Sequence, residues 1–343
     1  MEGFKRHKPV SLTTSGKNKL IILFGLLFAT TFLHAQTQVD SIINVGIRYH
    51  DAKEYKKAIA LYEQALSIDP ESEIAIYEIS ISMVEMGDYY GAIEYSDKLI
   101  KRNDKYAILS YNTKGSSLNY LGKTDEAIDI FLEGIDLYPD FDLLHYNLGL
   151  AYHTKMEYEN AKDAFIAAIE INPQHSGAHL NLGRTMMRIN KRVESLLSLY
   201  FFLLLEPNTE RSEWAYNGLH LQLSDSSLRL DDTDIADIQE VNKMLSELAA
   251  SHIAEGKTSE TNSHIFIKTT YSFFSSLGKL KDAHKNTGFW WDFYVPFFAS
   301  LTSSGYTEPF CHYISHSFQK ESDYFINNNP AKINSFKTWL QQR

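Results

Sequence analysis

Apolar and small side chains return along residues 39–207 with a helical beat set inside a longer one. From Asp142 to Pro173, His145, Leu148, Gly149, Tyr152, Ala161, Phe165, Ala168 and Pro173 occupy the fourth, seventh, eighth, eleventh, twentieth, twenty-fourth, twenty-seventh and thirty-second places of one unit. Spacings of three and four predict two amphipathic helices. Gly149 and Ala161 are small where those helices must approach to about 8–10 Å, with Tyr152 and Phe165 filling the space around the contact. Pro173 lacks an N–H and restricts Asn172, which predicts the end of the second helix. Pro139, Pro173 and Pro207 recur at 34-residue intervals, and Pro70 sits close to the same register. A helical hairpin of this length cannot bury its own apolar face, so it must stack on neighbours.

Carried back in the same frame, the pattern gives Gly46, Tyr49, Ala58, Tyr62, Ala65 and Pro70 as a first unit. A second has Ile79, Ser80, Met83, Gly87, Ala92 and Asp104, with Gly87-Asp88-Tyr89 marking its inner turn. A third has Tyr111, Gly115, Gly122, Ala127, Phe131 and Pro139, and a fifth has Leu182, Gly183, Met186 and Pro207, with Ser195, Leu199 and Phe202 replacing the usual alanine, aromatic and alanine. This pattern resembles the tetratricopeptide repeat, His145 standing in for tryptophan. The resemblance covers about half the chain and implies an all-α fold: a right-handed superhelical array of about five helix-turn-helix repeats, followed here by a packed helical C-terminal region.

That C-terminal region is announced by Leu196, Leu197, Leu199, Tyr200, Phe201, Phe202, Leu203, Leu204 and Leu205, a helix with no polar side. Such a helix is covered all round. The alternative, membrane association, meets the objection that the run is too short to span, so residues after Pro207 are expected to cover it. A capping helix is predicted over 210–223, a polar break over 225–234, and helices over 235–254 and 264–277 separated by a loop over 256–263. Further helices are expected from Glu308-Pro309 to Phe318 and from Pro330, with Ile333, Phe336, Trp339 and Leu340 inward. The aromatic run Phe289, Trp290, Trp291, Phe293, Tyr294, Phe297 and Phe298 has two readings. Trp291, Tyr294, Phe298 and Leu301 keep helical spacing and read as core; the other reading is a ligand platform, with Trp290 as an exposed anchor.

Ahead of the first unit, Lys17 and Lys19 precede an apolar run from Leu20 to Phe32 that ends at Leu33-His34-Ala35-Gln36. This reads as a secretory signal peptide cleaved before Gln36; the alternative is an uncleaved N-terminal membrane anchor. The expected organisation is therefore a signal peptide over 1–35, a repeat array with its capping helix over 36–223, and a helical domain over 224–343, in an exported protein, periplasmic or secreted. Without residues 1–35 the chain keeps 28 basic and 42 acidic side chains, a net charge of −14. That charge disfavours nucleic acid and anionic lipid as partners, and no membrane span is expected after cleavage. Cys311 is the single cysteine, so no internal disulfide is possible.

Chemistry finds little purchase. His312 and His316 lie one turn apart, but no glutamate follows His312 as a zinc-protease helix requires, and no third ligand is evident. His175 and His179 repeat that spacing inside the array, where His179 reads as a packing residue. Asp231-Asp232-Thr233-Asp234 lacks the glycine and final glutamate of a calcium loop, and no phosphate loop or nucleophile elbow occurs. No catalytic residue, metal or cofactor is expected. The family resemblance implies instead that the first helix of each repeat lines a groove for a protein or peptide. Asn44, Asn147 and Asn181 share the sixth place of their repeats, where an amide can both donate to and accept from a peptide backbone; the alternative is that this residue type is common there regardless of ligand. Tyr77, Tyr120, Tyr146, His153, Arg184 and Arg188 surround them, and the arginine pair suits a carboxylate. Ile43 and Ile47 stand where family members that clamp a terminal carboxylate carry lysine and asparagine. The expected function is a non-enzymatic scaffold, the competing one a ligand-binding or enzymatic unit in 225–343.

Overall fold

The computed structural model describes residues 36–103, 105–226, 236–254 and 262–343. The expected signal segment, Asp104 and the acidic run Asp231–Asp234 lie outside them. Every regular element among the described residues is helical, with no strand. Helices α1 (36–51) and α2 (Tyr55–Ile68), α3 (Glu73–Met86) and α4 (Tyr89–Arg102), α5 (Ala107–Tyr120) and α6 (Thr124–Leu137), α7 (Asp142–Thr154) and α8 (Tyr158–Ile171), and α9 (Ser176–Arg188) and α10 (Arg192–Leu205) follow one another as five helix-turn-helix pairs. After them come α11 (Glu210–Ser224), α12 (Ala236–Ala254), α13 (Asn262–His284), a π-helical turn Trp290–Tyr294, α14 (Val295–Ser303), α15 (Thr307–Ser315), α16 (Lys320–Asn328) and α17 (Pro330–Leu340). The chain divides into two compact units, the first ending at Ile130 and the second beginning at Phe131. In the first, α2, α3, α4 and α5 pack in sequence order; in the second, α7 through α11 do the same.

The small residues do what their spacing predicts. A methyl group added to Gly149 would lie 2.6 Å from the buried ring of Phe165, and one added to Gly46 would meet Tyr62. In the fifth hairpin the counterpart of Gly149 is Gly183, whose added methyl would lie 2.8 Å from Leu199. There Ser195 takes the place of alanine and donates its hydroxyl to the Gly183 carbonyl at 3.0 Å. Ala58 and Ala161 are fully buried at the same contact in their own hairpins.

A second periodic device closes the first helix of every hairpin. Lys53, Gly87, Gly122, Met156 and Asn190 all adopt left-handed backbone, with φ of 60°, 79°, 76°, 60° and 57°. Around each, one amide bonds three residues back and the next bonds five back, as in Met156 to His153 and Glu157 to Tyr152 at 3.1 and 3.0 Å. This is a Schellman closure, which satisfies carbonyls otherwise left without donors. The glycines take this conformation freely, whereas Lys53 and Met156 take it at the cost of a Cβ clash.

The fourth-place histidines also have a shared task. His145 and His179 each donate Nε2–H to the carbonyl of the proline that ended the preceding hairpin, Pro139 at 2.8 Å and Pro173 at 3.0 Å. At His179 this bond fixes the neutral tautomer, because a carbonyl only accepts; Nδ1 then accepts from the hydroxyl of Tyr294 at 2.7 Å. Burial holds the imidazole at a pKa of about 3.

In the second unit α10 is the centre. Val193, Leu196, Leu197, Leu199, Tyr200, Phe202 and Leu203 are all fully buried. The helix packs on α9 and also on α11, α12, α15 and the π-helical turn, so residues after Pro207 do cover it. Tyr200 lies among Phe266, Phe273, Phe274, Phe298 and Phe310, and its hydroxyl bonds Thr270 Oγ1 at 2.7 Å. Each such side chain contributes roughly 1.5–3 kcal/mol on burial. Arg192, at the start of α10, donates to the Gln222 carbonyl and to Ser246 Oγ, the latter at 3.2 Å.

The aromatic run is core: Trp291, Tyr294 and Phe298 are buried, and Trp290 is half-buried and stacked on Tyr294 at 5.7 Å. The helix expected from Glu308 to Phe318 ends at Ser315, and α16 follows it. Only Ser322 of α16 is buried, so its residues carry almost no apolar pattern to betray it.

Three outcomes follow for stability. Gly149→Ala is expected to lose about 1–3 kcal/mol, because the ring it meets has no room to move, whereas Met156→Gly, at a site where Met156 is 72 % exposed, gains about 0.5–1 kcal/mol by removing the left-handed strain. Urea denaturation of both variants checks this. A chain ended after Ser224 leaves α10 uncovered and is expected to aggregate, read by size-exclusion chromatography. The imidazole of His179 titrates near 6.5 when unfolded and at about 3 when folded, so the unfolded state binds more protons between those values. Its contribution is complete above about pH 6.5 and is lost as pH falls toward 3, so His179→Gln flattens the decline of the urea midpoint with acid.

Candidate functional site

In the second unit the first helices α7, α9 and α11 bring forward the residues expected to line a groove. Tyr146 and Asn147 are half-buried on α7, Asn181 is buried on α9, and Arg184 and Arg188 are exposed one and two turns further on. Asn181 uses its whole amide. Its Nδ2 donates to the Tyr146 hydroxyl at 3.1 Å and to the Gly177 carbonyl at 3.0 Å, while its Oδ1 accepts from Arg184 Nη1 at 3.3 Å. Asn181 therefore acts as a fixed peg that orients Tyr146 and Arg184, with no donor left over for a ligand backbone. The Tyr146 ring is held in turn by His175 at 4.4 Å.

Arg184 is gripped from its other side. Its guanidinium lies 5.3 Å from the ring centroid of Trp214 on α11, within the range of a cation–π attraction. Trp214 is itself 44 % exposed. His153, at the end of α7, is half-buried and edge-on to Tyr158 at 5.3 Å. Burial first, then the charges of Arg184 and Arg188, hold its pKa below the usual imidazole value. Its Nε2 is sealed from solvent without a hydrogen-bond partner. Neither arginine has a carboxylate partner among the described residues, so a chain of net negative charge presents here a basic spot; Leu143 on α7 and Leu221 on α11 are also exposed.

The first unit carries the remaining three residues. Asn44 is exposed on α1. Tyr77 stacks on Tyr106 at 5.3 Å, and Tyr120, 65 % exposed at the end of α5, stacks on Tyr89 at 5.1 Å. Each of these two rings has committed a face to a neighbouring tyrosine.

Trp214 is a neighbour of Arg184 that the sequence pattern did not single out. It stands 68 residues after Tyr146, two full periods, and so occupies the same place in its unit. The missing glycine and alanine signature of α11 concealed that register. His312 of α15 and His316 just past its end diverge: His312 Nδ1 meets Ser322 Oγ at 2.9 Å under the Phe325 ring, while His316 Nδ1 donates to the Tyr313 carbonyl at 2.7 Å. Among the described residues no group of three or more His, Cys, Asp or Glu is placed to hold a metal, and no helix is long and apolar enough to cross a membrane. Cys311 is buried, which pushes its thiol up to about 12 and leaves it unreactive.

Family models described as tetratricopeptide repeat match residues 39–72 and 143–175, and one described as TPR repeat matches 115–155. The peroxisomal targeting signal receptor of Kluyveromyces lactis is 22% identical over 191 residues, covering 55% of this chain and 34% of that one. A TPR repeat-containing protein of Methanocaldococcus jannaschii is 29% identical over 128 residues, covering 37% and 22%. The chain thus spans about a third or less of the length of these curated relatives. A thermophilic TPR protein of Thermus thermophilus overlays with a TM-score of 0.47 at 18% identity, over 53% of this chain and 99% of that structure.

The proximity of His153 to the arginines has a direct readout. Replacing Arg184 and Arg188 together by glutamine is expected to raise the His153 pKa toward its ordinary value, followed by imidazole NMR titration; an unmoved titration would separate the three side chains.

Proposed function

We propose that this tetratricopeptide-repeat protein is a non-enzymatic scaffold whose second unit holds an acidic, partly apolar segment of a partner protein along α7, α9 and α11. Proteins of this repeat class bind protein or peptide partners, and the Kluyveromyces relative is named as the receptor of a targeting signal. One observation carries the reading for this chain: the bonded series Tyr146, Asn181, Arg184 and Trp214 fixes an exposed guanidinium before any ligand arrives. An arginine held in this way loses little conformational entropy on binding a carboxylate. Arg188 adds a second positive charge, and Trp214, over which Arg184 lies, offers apolar contact, as do the exposed Leu143 of α7 and Leu221 of α11. Asn147 is the amide of this face assigned to the partner's backbone, and Asn44, Tyr77 and Tyr120 are assigned a contact of their own on the first unit.

The same proposal places the protein in an exported assembly, periplasmic or secreted. The support is the basic, then apolar, then small-residue order of residues 17–36 and the net charge of −14 beyond them. Sequencing the amino terminus of the native protein is expected to begin at Gln36; a start at Met1 would favour the membrane anchor.

The groove is tested with the full chain carrying a C-terminal tag, used to capture partners from its native envelope. Arg184→Glu with Arg188→Glu is expected to reduce capture of the principal partner at least about tenfold, the equivalent of one strong charge-assisted contact, and Asn147→Ala to reduce it less. Unchanged capture by the double variant removes this face from the account.

A further inference from the structure

Glycine ranks below every residue but proline as a helix former, so a glycine inside a helix calls for a reason. Crowding supplies one at several positions. An added methyl group would lie 2.4 Å from a neighbouring side chain at Gly46, 2.6 Å at Gly149, 2.8 Å at Gly183, 2.7 Å at Gly91, 3.1 Å at Gly177 and 2.8 Å at Gly278. Gly218, in the middle of α11, has no such neighbour. The nearest described atoms to its added methyl are Sδ and Cε of Met187 at 3.8 Å and Cδ1 of Leu199 at 4.0 Å, which is ordinary contact. Its backbone is not left-handed either. Alanine in its place would improve both the helix and its packing on α9 and α10, and glycine forgoes both.

Spacings of four and three put Trp214 one turn before Gly218 and Leu221 one turn after it on the same face of α11, and both are exposed. Tyr216 and His220, whose rings meet Phe266 of α13, fall on the opposite face. With no side chain between its two shoulders, the face carries a dent. Its floor is Met187, half-buried on α9 between Arg184 and Arg188. Floor and shoulders are apolar, and a methionine adapts its shape to what it meets. The guanidinium of Arg184, 5.3 Å from the Trp214 ring centroid, stands beside one shoulder.

We propose that the partner's acidic segment seats one leucine-like side chain in the dent at Gly218, on Met187 and between Trp214 and Leu221, with a carboxylate one or two positions away on Arg184. The inference rests on the groove reading given above and narrows it to segments in which an aspartate or glutamate neighbours a large aliphatic residue. Residues of an extended chain are about 3.3 Å apart, so one or two positions cover the separation of ring and guanidinium. The two arginines on an acidic chain select the sign of the occupant, and the dent selects its shape. Any side chain in place of Gly218 would fill that dent.

The test uses the full chain and three peptides with blocked ends: acetyl-Ser-Gly-Asp-Leu-Asp-Leu-Gly-Ser-amide, the same with alanine for leucine, and the same with asparagine for aspartate. In calorimetric titrations the first is expected to bind about tenfold more tightly than either of the others. Gly218→Leu removes the preference for leucine over alanine and leaves the preference for aspartate over asparagine. Gly218→Ala narrows the leucine preference at least about threefold while raising the melting temperature by about 2–4 °C, a pairing that a purely structural glycine would not give. The inference is overturned if Gly218→Leu keeps the leucine preference, or if Gly218→Ala lowers the melting temperature. Should Gly218→Leu not fold, an unchanged leucine preference in Gly218→Ala overturns it. The groove reading fails separately: aspartate and asparagine peptides bound alike, or binding unmoved by Arg184→Glu with Arg188→Glu, removes the arginine face whatever Gly218 does. A chain that binds none of the three peptides by about 1 mM overturns both.

Discussion

The structure depends on how closely the two helices of a hairpin approach. At Gly149 and Phe165 the contact leaves no space for even one additional carbon, and the equivalent glycines at 46 and 183 meet Tyr62 and Leu199 in the same way. A large ring laid over a bare backbone buries apolar surface without forcing the helix axes apart. The fixed spacing lets each hairpin present a similar outer surface to the next, which is why a local contact governs the stacking within each unit. The Schellman closures at residues 53, 87, 122, 156 and 190 set the angle of return, and the prolines set the length of the second helix.

Where stacking ends, the physics changes. α10 begins as the second helix of a repeat and becomes the core of a larger globular body, its surface enclosed by α9, α11, α12 and α15. Its aromatic and leucine side chains have no polar side to turn toward water, so the helices that follow must be present for the array to end in solution. Tyr200 and His179 carry polar groups into this interior, and both are satisfied, by Thr270 and by Tyr294 with Pro173. Through His179 the repeat array and the π-helical turn are joined by a buried bond, which fixes where the C-terminal helices dock.

Two chemically distinct surfaces arise on α11 as a result. Trp214 supports Arg184, a positive charge on an acidic protein, while Tyr216 and His220 pack their rings against Phe266 of α13. Asn181 spends its hydrogen bonds inside the protein, and through them it orients Tyr146 and Arg184.

By itself the sequence determined the features that repeat. Gly149, Ala161, Phe165 and Pro173 act within a single hairpin, so their spacing carries the information, and the same period pointed to Tyr146, Asn181, Arg184 and Arg188 as neighbours. It also marked α10 as a helix that must be covered. Only the tertiary structure decided what covers it, because the bond from His179 to Tyr294 spans 115 residues and leaves no local trace. The same holds for Trp214, whose repeat register is masked by the loss of small residues in α11, for α16, which buries too little to show a pattern, and for the left-handed turns at Lys53 and Met156, where stacking overrides residue preference. Periodic contacts are written in composition; contacts between distant, unrepeated segments are settled by which surfaces are left to bury once the periodic part has formed.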